Sequence, residues 1–139
     1  MLELESTIQY NMKIAVIAHD GKKADMVAFV MKRLEFFKQV EVIATGTTGK
    51  HIEHAGLKVQ CLKSGPLGGD AQIASMIADG EISGVVFFID PLEVHPHQVD
   101  VNMLLRICNV YNTPLATNYM TASYIISGLE KKFKENLTT

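Results

Sequence analysis

Apolar and polar positions alternate along the chain with two different periods. Lys13-Ile14-Ala15-Val16-Ile17-Ala18 is a continuous apolar run, the pattern of a strand buried on both faces. From Gly21 to about Phe37, Ala24, Val27, Val30 or Met31, Leu34 and Phe37 recur at three- and four-residue spacing, which predicts one amphipathic helix. Val40 to Ala44 reads as a second strand, Lys50 to Ala55 as a short helix closed by Gly56, and Lys58 to Leu62 as a third strand. Asp70 to Asp79 predicts a helix with Ile73, Met76 and Ile77 on its inner face. Gly84 to Ile89 is the most apolar strand and is expected at the centre of the sheet. A helix from Val101 to about Tyr111, a strand over Pro114 to Thr117 and a short helix from Thr121 to about Ser127 complete the pattern. Residues 1–12 are expected as an extension, 13–128 as the domain, and 129–139 as a frayed basic tail.

Strands alternating with helices imply βαβ crossovers. The expected fold is an α/β single-domain doubly wound sandwich with a five-stranded, mainly parallel sheet. Sheets of that kind bind ligands beyond the carboxyl ends of their strands. The polar residues obey that rule: strand one runs into His19-Asp20-Gly21-Lys22-Lys23, strand two into Thr45-Gly46-Thr47-Thr48-Gly49, strand three into Ser64-Gly65-Pro66-Leu67-Gly68-Gly69-Asp70, and strand four into Asp90-Pro91 and then His95-Pro96-His97 and Asp100.

Composition narrows the partners. The 139 residues, 47% hydrophobic and 20% charged with a net charge of −2, suit one domain and disfavour a nucleic-acid partner held by a general positive field. Between Ser64 and Glu130 the only Lys or Arg is Arg106. An N-terminus with acidic residues and no apolar core, and no stretch long enough to span a bilayer, point to a cytoplasmic protein without a membrane partner. Cys61 and Cys108, each amid apolar neighbours and outside any C-x-x-C pattern, read as buried reduced thiols.

Each rim motif has a functional and a plain reading. The Thr45 to Gly49 segment offers hydroxyls, backbone N–H groups and a helix N-terminus, which together suit one phosphate group; a tight turn with threonine caps explains it equally well. It is neither a P-loop nor a dinucleotide fingerprint. Asp70 is either a helix N-cap or a carboxylate presented by the Gly68-Gly69 turn as a general base, kept ionised by the helix dipole. Asp100 is accounted for by an N-cap role. Asp20 and Asp90 end apolar strands and would orient a histidine or a loop amide. His51 and His54 read as solvated surface, and without an H-E-x-x-H motif or a Cys/His cluster no metal is expected.

Taken together, His19-Asp20, Ala44-Thr45-Gly46-Thr47-Thr48-Gly49, Ser64-Gly65-Pro66-Leu67-Gly68-Gly69-Asp70, Phe88-Ile89-Asp90-Pro91-Leu92 and Pro96-His97 with Asp100 closely resemble methylglyoxal synthase, in order and spacing over residues 13 to about 127. The resemblance implies a methylglyoxal synthase-like fold and a cofactor-free lyase that converts dihydroxyacetone phosphate to methylglyoxal and inorganic phosphate. It implies Asp70 as base and His97 as the group that polarises the carbonyl. It implies a phosphate grip from Lys23, Thr45, Gly46, Thr47, Thr48, Ser64 and Gly65, with His19 in the same pocket and Asp20, Asp90 and Asp100 in support. Phosphate feedback and a homohexamer come with it. The chain departs from the family's pattern in its additional His95 and in Gln98-Val99 after His97. The same fold also serves as an effector-sensing module in carbamoyl phosphate synthetase, a regulatory rival to the enzyme reading.

Overall fold

The computed structural model describes residues 11–93 and 98–138, without the side chains of residues 98–100 and 138. Five strands form one sheet: β1 (Lys13–Ala18), β2 (Glu41–Thr45), β3 (Gln60–Leu62), β4 (Gly84–Phe88) and β5 (Leu115–Ala116). The order is β3-β2-β1-β4-β5 and every pairing is parallel. The helices are α1 (Lys23–Lys32), α2 (Leu34–Phe37), α3 (Gly46–His54), α4 (Gly69–Ala78), α5 (Gln98–Val110) and α6 (Tyr119–Thr138).

The period-two geometry of a strand divides the core into two layers. Ile14, Val16 and Ala18 of β1 point to one face, where they pack with Met26, Phe29 and Val30 of α1, Ile52 of α3 and Ile126 of α6. Ala15 and Ile17 point to the other, against Ile73 and Ile77 of α4 and Leu104 and Cys108 of α5. A sheet buried this way on both sides reads as runs of Val, Ile and Ala without alternation, which is why the apolar runs mark strands here. β4 lies inside the sheet as expected, between β1 and β5, although β1 holds the middle position.

Several expected boundaries move. The segment from Gly21 to Phe37 is a 3-10 turn (Asp20–Lys22) followed by α1 and α2, interrupted at Arg33. Its buried residues are Met26, Phe29, Val30, Phe36 and Phe37, so the expected Val30 and Phe37 hold, while Ala24 is exposed and Val27 only partly buried. Arg33 replaces helix continuity with contacts of its own: its guanidinium lies 4.3 Å from the Phe29 ring centroid and donates to Ser123 Oγ of α6 at 3.0 Å. The largest correction is at the C-terminus, where 129–138 is not frayed but continues α6. Leu129 and Phe133 extend the three- and four-residue spacing of Ile126 and are buried. Gly128, just past the expected end at about Ser127, lies inside the helix. Close packing explains the override: a β-carbon on Gly84 would stand 2.7 Å from Leu129 Cδ1, so a bare backbone at the start of β4 admits the tail helix. Phe133 meets Phe36 edge to face at 6.1 Å.

Of the two cysteines expected as buried thiols, Cys108 agrees and Cys61 does not. Cys108 is buried, and desolvation pushes its thiol up to about 11. Cys61 is exposed, because β3 is an edge strand, and its Sγ donates to Glu53 Oε1 at 3.1 Å. The partial desolvation of its sulfur, then the hydrogen bond and charge of Glu53, raise its pKa.

Phe133→Ala should lower unfolding free energy by about 3 kcal/mol, the usual cost of emptying a buried phenylalanine site. Urea titration checks it; an unchanged midpoint would return residues 129–138 to the status of a loose tail.

Candidate active site

In the sheet order, β2 and β3 extend to one side of β1 while β4 and β5 extend to the other. The chain therefore leaves β1 and β4 in opposite directions at adjacent carboxyl ends, and a crevice opens between them. A cleft of about 560 Å³ occupies that position. Four loops line it, one from the end of each of β1, β2, β3 and β4.

The β1 loop is tied to β4 before it turns away. The His19 backbone N–H donates to Phe88 O at 3.1 Å, extending the β1–β4 ladder by one residue. The His19 ring is buried, edge-on to Phe87 at 5.2 Å, and its Nδ1 accepts from the Asp90 backbone N–H at 3.0 Å. With Nδ1 used as an acceptor, the neutral ring carries its proton on Nε2. One turn later Lys23 opens α1, and its ammonium donates to Asp20 Oδ1 at 2.7 Å and to the Thr47 hydroxyl. The β1 and β2 loops are thus bridged by the lysine.

At the end of β2 the expected loop is already helix. Thr45 holds the N-cap position of α3 and Gly46 is its first residue, so Thr47, Thr48 and Gly49 form the first turn rather than preceding it. Tertiary packing overrides the poor helix propensity of this stretch, since Thr48 and Gly49 are buried. Gly46 has φ +44, and a β-carbon there would stand 2.8 Å from Ser64 Cα and Cβ. The β2 and β3 loops meet at that contact. The Thr45 side chain makes no capping hydrogen bond, which removes the plain reading of threonine caps at this helix. Thr45, Gly46, Thr47 and Thr48 line the cleft, so the N-terminal end of α3, the positive end of its dipole, borders it.

The β3 loop makes a 3-10 turn (Gly65–Leu67) and enters α4 at Gly69. The N-cap of α4 is Gly68, so Asp70 is the second residue of the helix and not its cap. Its side chain is buried and lines the cleft. At the end of β4, Asp90 Oδ1 accepts from Leu92 N–H at 3.1 Å, shaping the turn that leaves the cleft.

The structure brings together His19, Asp20, Lys23, Thr45, Gly46, Thr47, Thr48, Ser64, Gly65, Asp70 and Asp90 around one cleft. His95 and His97 lie outside the described residues. Asp100 is the third residue of α5, not its N-cap, and its side chain is outside the description as well. Sequence reasoning missed Gly21, Pro66 and Glu93, which also line the cleft. Gly21 and Glu93 follow the His19-Asp20 and Asp90-Pro91 pairs so closely that position relative to a strand end was the available signal. His51 and His54 are exposed on α3, and among the described residues no group of three or more metal-capable side chains exists. Nor is any described helix long and apolar enough to cross a membrane.

A parallel sheet with a helix start opening on a cleft at its switch point defines the class, and the family model of the MGS-like domain matches residues 25–117. A methylglyoxal synthase of Carboxydothermus hydrogenoformans is 54% identical over 119 residues, covering 85% of this chain and 98% of the relative. One from a Geobacillus species is 54% identical over 121 residues, covering 86% of each. The crystal structure of methylglyoxal synthase from Elizabethkingia anophelis superposes with a TM-score of 0.80 at 48% identity, over 85% of this chain and 78% of that one. The chain belongs to the methylglyoxal synthase family.

A charge-assisted hydrogen bond to a bound anion is worth roughly a ten- to hundredfold in affinity. Lys23→Ala should weaken the binding of inorganic phosphate by that factor, read by calorimetry; equal binding in the variant would take Lys23 out of the anion site.

Proposed function

We propose that this protein is a lyase that converts dihydroxyacetone phosphate (glycerone phosphate) to methylglyoxal and inorganic phosphate. The observation that carries the reading is a buried Asp70 carboxylate in the same cleft as the Lys23–Thr47 bridge and the start of α3, in a chain more than half identical to named methylglyoxal synthases.

The substrate's phosphate is placed on Lys23, the Thr45–Thr48 turn, Ser64 and Gly65, which leaves the ketone and hydroxymethyl carbons toward Asp70. Asp70 takes a proton from the hydroxymethyl carbon, and the electron pair moves onto the carbonyl oxygen as an enediolate. His97 is assigned the polarisation of that oxygen, with His19, held as its Nε2–H tautomer, as a second donor on the same rim. The proton of the hydroxymethyl oxygen passes to the former carbonyl oxygen, and collapse of the resulting terminal enediolate to the aldehyde pushes the electron pair across the middle carbon and breaks the far C–O bond to phosphate. The enol left behind takes a proton on its terminal carbon and becomes methylglyoxal. Elimination rather than reprotonation requires that C–O bond to stand perpendicular to the enediolate plane, which is the task assigned to the phosphate grip. Asp20, Asp90 and Asp100 support the loops. No cofactor or metal enters the scheme. The reaction drains a glycolytic triose phosphate, and inorganic phosphate, as product, would compete for the same grip.

Asp70→Asn keeps shape and should retain substrate binding while turnover falls at least about a hundredfold. Solvent deuterium exchange into the hydroxymethyl carbon should fall equally. Exchange at the wild-type rate in the variant would assign the base elsewhere, and a wild type that turns over nothing would favour the effector-sensing rival.

The working form is assigned as a cytoplasmic homohexamer. Light scattering should give about six times the 15.3 kDa chain mass; a mass near that of one chain would contradict it.

A further inference from the structure

Two glycines of the cleft have no conformational reason to be glycine. Gly46, Gly56, Gly68 and Gly80 have positive φ, but Gly21 and Gly65 do not, so their backbones would accept a side chain without strain. Both sit in 3-10 turns, where glycine only adds freedom to the unfolded chain. What the two positions share is a carboxylate. A β-carbon on Gly65 would stand 3.0 Å from both carboxylate oxygens of Asp70 and 3.2 Å from its Cγ. One on Gly21 would stand 2.6 Å from Asp90 Oδ2. Equal distances mean that Asp70 turns both oxygens toward Gly65, and a side chain that is 3% exposed on the first turn of α4 has little room to retreat. Asp90 is held at both ends, by its N–H on His19 Nδ1 and by its Oδ1 on Leu92 N–H.

We infer that Gly65 and Gly21 are positioning residues that act by lacking a side chain: each seats a carboxylate of the cleft directly against main chain, Gly65 that of Asp70 and Gly21 that of Asp90. The kinetic consequence at Gly65 rests on the proposed role of Asp70 as base. A methyl group at 65 displaces the carboxylate from the reacting carbon but keeps the backbone N–H available to phosphate. A methyl group at 21 pushes Asp90 away and draws its N–H off His19.

Gly65→Ala should lower kcat by at least about thirtyfold, while inhibition by inorganic phosphate changes by less than about threefold. A role in phosphate binding alone would move the inhibition instead. In thermal melts, Gly65→Ala should lower the midpoint in the otherwise native chain and not in an Asp70→Ala background, a coupling that is independent of catalysis. Gly21→Ala should alter the His19 ring 15N shifts, with loss of the Nε2–H tautomer signature, and should do so less in an Asp90→Ala background.

Wild-type kcat in Gly65→Ala alongside an inactive Asp70→Asn would overturn the inference and leave the base in place. An active Asp70→Asn would instead overturn the base, and the melting cycle would still decide the Gly65 seat. Additive melting effects, or His19 shifts unchanged in Gly21→Ala, count against the respective seat.

Discussion

Because β1 is hydrogen-bonded on both sides and packed on both faces, the polar groups it delivers to the cleft emerge at its carboxyl end. Its pairing with β4, from Ile14 opposite Gly84 to Ala18 opposite Phe88, fixes which residues emerge together there. One further bond, His19 N–H to Phe88 O, carries the register past the strand and brings His19 beside Asp90. A slip of one residue would reverse the faces of Ile14, Val16 and Ala18 and separate the two rim residues at once. Core packing and site geometry are therefore enforced by the same ladder.

The charge of the cleft follows from which strand ends meet there. Asp20, Asp70, Asp90 and Glu93 line it, with Lys23 as the cation among the described lining residues. Lys23 is already bonded to Asp20 and Thr47. For the phosphate binding proposed, backbone N–H groups and hydroxyls would consequently contribute more than opposite charge, and each carboxylate discourages a second anion. For the reaction proposed, in which phosphate must leave, a grip of neutral donors holds the group in place without trapping it.

The fold was legible because a sheet buried on both faces writes itself as uninterrupted apolar runs, and the rim residues because loops at strand ends collected nearly all the capable side chains. Where the reading failed, tertiary packing had overruled local propensity. Thr48 and Gly49 are weak helix formers placed in a helix by burial against the sheet. The last helix is expected to stop near Ser127, but the close approach of Leu129 to Gly84 carries it on. Asp70 and Asp100 had the spelling of N-caps, but each helix starts earlier, at Gly69 and Gln98, which no side-chain pattern announced. Cys61 has apolar neighbours yet lies on an edge strand, and the position of a strand in the sheet is a property of the whole topology.

The sheet ends in two very short strands, β3 with three residues and β5 with two. An edge that brief offers few unpaired N–H and C=O groups in register, too few for a foreign strand to zip onto. Pro114 just before β5 and Lys58 and Lys63 around β3 further discourage edge-to-edge polymerisation.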